Sequence, residues 1–247
     1  MAFGKRKSDD SVDSVDDSPS VPATDSGDVD GPFDVEDFDD PSVATMGRLD
    51  LGSVLIPLPE AGQVQVELTQ QGVPSAVWVV TPNGRFTVAA YAAPKTAGLW
   101  REVASELADS LRKDATQVQI LEGPWGREVV GGAPGGEGQT GVVRFIGVDG
   151  YRWMIRCVVN GPSENADALT KEARNALADT VVRRGETPLP VRTPLPVELP
   201  EPMANQLRAA AEQAAAQQGQ QQPPPQPAAR RSEQGSAMQQ LRTITGG

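Results

Sequence analysis

Between Leu99 and Asp114 the sequence reads LWREVASELADSLRKD. Apolar residues recur at Trp100, Val103, Ala104, Leu107, Ala108 and Leu111, the spacing of a helix with one buried face. Arg112 and Lys113 fall in the last turn, where the helix macrodipole favours cations. Such a helix takes most of its stability from the apolar surface it covers. The sequence from about Met46 to Pro202 reads as the sheet that this helix covers.

The strand signals lie on both sides of the helix. Ser53–Pro59 and Gln63–Leu68 flank Glu60-Ala61-Gly62 and predict a hairpin. In the second of these, Val64, Val66 and Leu68 alternate with Gln63, Gln65 and Glu67, giving one dry and one wet face. Asn83-Gly84, between Val77–Thr81 and Arg85–Tyr91, predicts a second hairpin with a type I′ turn. Gln117–Leu121 and Trp125–Val130 predict two short strands around Gly123-Pro124, and a flexible loop follows over Gly131–Gly141. Asp149-Gly150 predicts a further I′ hairpin between Gly141–Gly147 and Tyr151–Val159. The next stripe, Ala166, Leu169, Ala173, Ala176, Leu177 and Val181, predicts a second helix. The plan is therefore hairpin then helix, twice over. PLPVRTPLPVELPEP, from Pro188 to Pro202, is polyproline-like and predicts a strap or spacer.

Charge separates the tails from this middle. Residues 1–46 hold 13 Asp/Glu and 3 Lys/Arg, residues 47–200 hold 17 and 15, and residues 201–247 hold 3 and 4. The acidity thus sits in the leader. Residues 1–46 are expected to be a disordered acidic leader, 47–202 the folded domain, and 203–247 a disordered Ala/Gln/Pro-rich tail. Removing 1–46 should then leave the melting temperature unchanged. Phe33-Asp-Val-Glu-Asp-Phe38 sets two aromatics among acids, so Phe33 and Phe38 are candidates for a short motif that folds on a partner.

The balanced middle has no clustered Lys/Arg with which to displace counterions, so nucleic acid is not an expected partner. No apolar run reaches the ~18 residues of a membrane span, and the N-terminus lacks the apolar core of a secretory signal. One cysteine, Cys157, makes no internal disulfide. A cytosolic protein is the expectation.

Chemistry is sparse. The chain has no histidine, which removes the usual general base and the commonest metal ligand. Cys157 reads as a packed core thiol, and Gly136–Gly141 matches G-x-G-x-x-G without the helix that a dinucleotide fingerprint needs. No catalytic, cofactor-binding or metal-binding residue is assigned. Arg127, Arg144 and Arg156 are the candidate ligands for a small anion. The alternative is that they are edge or rim arginines paired with Glu128 or Asp149. With Asp149-Gly150 as the turn, Val143 faces Arg156 and Arg144 faces Ile155, so Arg144 and Arg156 point to opposite faces.

The run Tyr151–Arg156 (YRWMIR), Val182–Gly185 (VRRG), Leu195–Pro200 (LPVELP) and the opening Arg48–Pro57 (RLDLGSVLIP) resemble the actinobacterial domain of unknown function numbered 3710, over about Met46–Pro202. The resemblance implies a cytosolic actinobacterial protein and carries no activity or site residues. The order of elements is also similar to the fold of the photosystem protein PsbP and the Ran-binding protein Mog. That likeness implies an antiparallel sheet between helical layers, used as a binding scaffold.

The expected fold is α+β, one domain with an antiparallel sheet of about seven or eight strands covered by two main helices, between disordered tails. The expected function is a non-enzymatic interaction or adaptor module with an unidentified protein partner. The alternative is an anionic-ligand binder or enzyme with a pocket between helix and sheet.

Overall fold

The computed structural model describes residues 30–69, 74–114, 117–134 and 140–220. In chain order the N-terminal elements are β1 (Phe33–Asp34), a 3-10 turn (Val35–Asp37), α1 (Pro41–Thr45), β2 (Arg48–Asp50) and β3 (Val54–Pro57). Then come β4 (Gln63–Leu68), β5 (Pro74–Thr81), β6 (Gly84–Ala92), α2 (Leu99–Asp114), β7 (Val118–Gly123) and β8 (Gly126–Pro134). β9 (Thr140–Asp149), β10 (Trp153–Pro162), α3 (Ala166–Ala178), β11 (Val181–Val182) and α4 (Glu201–Gln220) complete the order. The expected α+β class and the two main helices stand.

Seven strands form one antiparallel sheet in the order β4-β5-β6-β10-β9-β8-β7. Side chains alternate along each strand, so the ladders sort residues onto faces. Tyr91, Met154, Arg156, Phe145, Gly147 and Val129 share one face; Ala90, Ile155, Cys157, Ile146 and Arg144 share the other. α2 covers the first face over β7–β9, where Trp100, Ala104 and Ala108 pack with Val129 and Met154. α3 covers the second with buried Leu169, Ala173 and Leu177. Strands buried on both sides need apolar residues in both phases, which β10 has.

Both hairpins form, with turns displaced from their expected positions. Thr81 pairs with Gly84, so Pro82 and Asn83 occupy the first turn. Proline's locked φ suits the first central position of a turn, and this draws the turn back by one residue. In the second hairpin Asp149 pairs with Met154, and residues 150–153 make a wider loop closed by the Gly150 N–H donating to Trp153 O at 2.9 Å. Two tertiary demands widen it. The Trp153 indole is 3% exposed against Gly150. The Asp149 carboxylate accepts from the Gly98 and Trp100 N–H groups at 2.9 Å each, capping α2. The expected pairings of Val143 with Arg156 and Arg144 with Ile155 are corrected to Val143 with Asn160, Arg144 with Val159, and Arg156 with Gly147.

The predicted hairpin of Ser53–Pro59 with Gln63–Leu68 does not exist. β4 pairs with β5, and β3 belongs to a second sheet of order β1-β11-β3-β2. Three consecutive β3 residues, Val54, Leu55 and Ile56, are at most 2% exposed. Such a run needs cover on both sides, whereas β4 keeps a wet face, so the two do not suit one ladder. In the second sheet β1 runs parallel to β11.

The domain therefore begins well before residue 47, and the expected leader boundary is corrected. Phe33, Val35 and Phe38 pack on buried Ala44, Leu55 and Val181. Phe33 meets Phe38 edge-on at 5.9 Å, and the Arg48 guanidinium lies 5.8 Å from the Phe38 ring centre. Asp34 accepts from the Trp153 indole at 2.8 Å, and Gly31 O accepts from the Trp125 indole at 2.7 Å. The partner on which the Phe33–Phe38 motif folds is this domain. Residues 1–29 lie outside the described residues.

The proline strap docks. β5 pairs with β6 only through Trp78–Thr81, which leaves the edge of β6 beyond Thr87 without a strand. The strap's non-proline residues take that edge: the Ala92 N–H donates to Thr193 O at 2.8 Å, and the Leu195 N–H donates to Ala90 O at 2.9 Å. Leu195 is 4% exposed. Arg192 ties the strap to α2 through Glu106 at 2.8 Å and Glu102 at 3.3 Å. A separate C-terminal unit begins at Leu199, and among its described residues it consists of α4.

Candidate functional site

Two clefts flank the sheet, one under each main helix, and the three candidate arginines are divided between them and the surface.

On the α3 side, Glu128 of β8 points inward and is 1% exposed. Gly123, diagonal to it on β7, makes room for it, since a Cβ there would overlap the carboxylate. A buried carboxylate demands partners, and two arginines supply them. Arg144 of β9 donates from Nη1 at 2.7 Å, and Arg174 of α3 donates from Nε at 3.1 Å and Nη2 at 2.8 Å. The arrangement holds α3 to the β8–β9 ladder. Above it opens a cleft of about 400 Å3 lined by Trp125, Arg144, Asp167, Lys171, Arg174 and Ala178, among others. Cys157, fully buried on the same face, has its thiol pushed up by desolvation and then by the Glu128 charge. It is a packed core thiol.

On the α2 side, a groove of about 350 Å3 lies between the helix and the half of the sheet it leaves open. Val103, Leu107 and Ser110 of α2 form one wall, Tyr91 and Met154 form the floor, and Glu106 and Arg192 stand at the strap end. Arg156 rises from β10 with its guanidinium 5.0 Å from the Tyr91 ring centre. Its Nε is buried without a hydrogen-bond partner, and among the described residues it has no carboxylate partner. Farther along the same face, Arg85 lies 4.5 Å over the Trp78 ring, whose indole N–H donates to Glu67 at 2.9 Å.

Arg127 is exposed, 3.9 Å from Glu122, and contributes its carbonyl to the Trp100 indole at 2.7 Å. The structure thus separates the three candidates: Arg127 on the surface, Arg144 bound to Glu128, Arg156 alone in the helix–sheet groove. An arginine pairs with Glu128 as the alternative expected, but the pair is buried rather than at an edge or rim. Asp149 caps α2 instead. Arg174, Arg192 and Tyr91 were not legible as site residues, because α3 and the strap reach the sheet only in the folded chain. Residues 135–139 of the glycine-rich loop lie outside the described residues, and Gly131–Pro134 are strand.

No helix among the described residues is long and apolar enough to cross a membrane. No curated protein matches the chain. A crystal structure from Bacteroides thetaiotaomicron VPI-5482 is similar over 71% of this chain at 12% identity and a TM-score of 0.40, and this chain spans 62% of that one. LpqN of Mycobacterium tuberculosis, described as involved in cell envelope biogenesis, is similar over 53% of this chain and 83% of its own, at 12% identity and a TM-score of 0.31. A family model matches residues 31–206, starting two residues before β1 and so including the segment that composition assigned to the leader. The chain belongs to the family described as "Protein of unknown function (DUF3710)".

Proposed function

We propose that the chain is a non-enzymatic binding module whose ligand seats in the groove between α2 and the sheet. The ligand has an apolar body with one carboxylate or phosphate. The observation that carries this reading is Arg156. A half-buried guanidinium whose Nε is buried and has no hydrogen-bond partner among the described residues leaves hydrogen-bonding capacity unused. Stacking on Tyr91 compensates for only about 0.5–2 kcal/mol. An anion placed there gains a charge-assisted bond, and Val103, Leu107 and Met154 offer its apolar part cover.

Thermal denaturation of the full chain with a panel of aliphatic, aromatic and phosphorylated acids tests this. A ligand at about 100 times its Kd stabilises by about 2.7 kcal/mol. The stabilisation should vanish in Arg156→Gln and persist in Arg127→Gln. A panel without any shift, or a shift that survives Arg156→Gln, overturns the reading.

A second reading, a protein partner on the open sheet face, is supported by the Arg85–Trp78 and Arg156–Tyr91 pairs. Arg, Trp and Tyr are the residues that dominate interface energetics. Affinity capture with the full chain and with Trp78→Ala separates the two readings: a partner lost with Trp78 favours the protein interface. The lone, buried cysteine supports a reducing, cytosolic setting for either.

A further inference from the structure

The cleft on the α3 side has a natural occupant within the chain. We propose that it is the docking site of the protein's own acidic leader, the aspartate-rich stretch that precedes Gly31. This goes beyond the α2 groove and does not depend on it.

Position is the first argument. The chain joins the fold at the rim of this cleft. Gly31 O accepts from the Trp125 indole at 2.7 Å, and Gly31 sits against Ala178 O so closely that a Cβ has no room. Trp125 and Ala178 are two walls of the cleft. Whatever precedes Gly31 starts there.

Charge is the second. Residues 8–30 contain eight Asp and no Lys or Arg. The cleft presents Arg144, Lys171 and Arg174 against Asp167, with Glu128 beneath, a balance of one positive charge. The two guanidinium groups carry ten N–H donors and use three on Glu128. Arg144 Nε is buried and has no partner.

Reach is the third. Asp28 and Asp25 stand three and six residues before Gly31. At about 3.3–3.6 Å per residue they reach roughly 10 and 20 Å from the rim, enough to lie over a cleft of this size. A tether this short gives an effective concentration of the order of millimolar, so weak charge pairs suffice. The α2 groove does not suit the same segment, because between residues 8 and 30 the bulkiest apolar side chain is valine.

The test compares amide and indole NMR spectra of the full chain with those of Asp25→Asn/Asp28→Asn and of Lys171→Gln. Asp25 and Asp28 precede Gly31 in the chain, and Asp→Asn removes the charge with little change of shape. At low salt the Asn variant should shift the amides of Lys171, Arg174 and Ala178 and the Trp125 indole. The difference should collapse at about 0.5 M salt, where the Debye length falls toward 4 Å. In the Lys171→Gln background the Asn substitutions should produce a smaller shift. Superimposable spectra at low salt overturn the proposal. So does a shift confined to Val103 and Leu107, which would put the leader in the other groove.

Discussion

The indole of Trp100 occupies the space that a side chain at Gly147 would need. Trp100 is 3% exposed, its Nε1–H donates to Arg127 O at 2.7 Å, and its backbone N–H donates to Asp149. The first turn of α2 is thereby held to β8 and β9 at once. Gly147→Ala should cost about 3 kcal/mol, since the ring has nowhere to move without breaking its bond. Urea denaturation followed by tryptophan fluorescence measures this, and a loss below about 0.5 kcal/mol contradicts the packing.

Glu128 holds two guanidinium groups from different elements. Glu128→Gln leaves both without their countercharge and should cost about 3 kcal/mol. Arg174→Gln should cost less, because the Arg174 side chain is 32% exposed and water replaces what it loses, whereas Arg144 is 13% exposed. The expected order of unfolding midpoints is wild type, then Arg174→Gln, then Glu128→Gln.

The N-terminal segment is part of the fold. Phe33→Ala removes a ring from the cluster of Ala44, Leu55 and Val181 and should cost about 2 kcal/mol, scaled down from a full core phenylalanine because the ring is half-buried. Deleting residues 1–46 should lower the melting temperature, contrary to what composition implies, because β1 leaves the second sheet. Scanning calorimetry of both variants checks this, and an unchanged midpoint would show that β1 contributes nothing.

Asp50 sets part of the acid limit. Burial raises its pKa, but hydrogen bonds from Arg183, the Gly52 N–H and the Arg183 charge outweigh it, and the net shift is downward. The bonds run at 3.0 and 3.1 Å from Arg183 and 2.8 Å from Gly52. A folded pKa below the unfolded value of about 3.9 gives stability that is present above that value and lost as pH falls through the folded one. Asp50→Asn should flatten this part of the stability profile below about pH 4 and leave its slope near neutrality unchanged. Urea midpoints across the acid range decide it; parallel acid limbs would count against the Arg183 pair.

The local patterns translate well. The stripe from Leu99 to Asp114 is a helix with those bounds, and both dipeptide signals mark hairpins. Even the misjudged register of β9 with β10 keeps its consequence. Moving Arg156 from Val143 to Gly147 is a shift of four along the strand, an even number, so Arg144 and Arg156 still point to opposite faces. The errors arise where distant residues compete. Asp149 is drawn out of its turn by the N-terminus of α2, and β3 is drawn from β4 by β11 and β2. Phe33 and Phe38 sit among acids, which reads as solvated chain until Val181 and Leu55 are placed beside them.

Alternation and helical periodicity are properties of neighbouring residues, so the sequence by itself determined the two main helices, the strands of the seven-stranded sheet and the α+β class, and it missed the short elements β1, α1, β2 and β11. It also limited the candidate anion ligands to a few arginines. Which arginine keeps unsatisfied donors is a different kind of question. Glu128 and Arg174 are 46 residues apart, and Arg192 and Glu106 are 86 apart. Only the tertiary structure brings those charges within 3 Å of each other. By pairing Arg144 and Arg192 with carboxylates and setting Arg156 against Tyr91 without one, it separates arginines that look alike in the sequence.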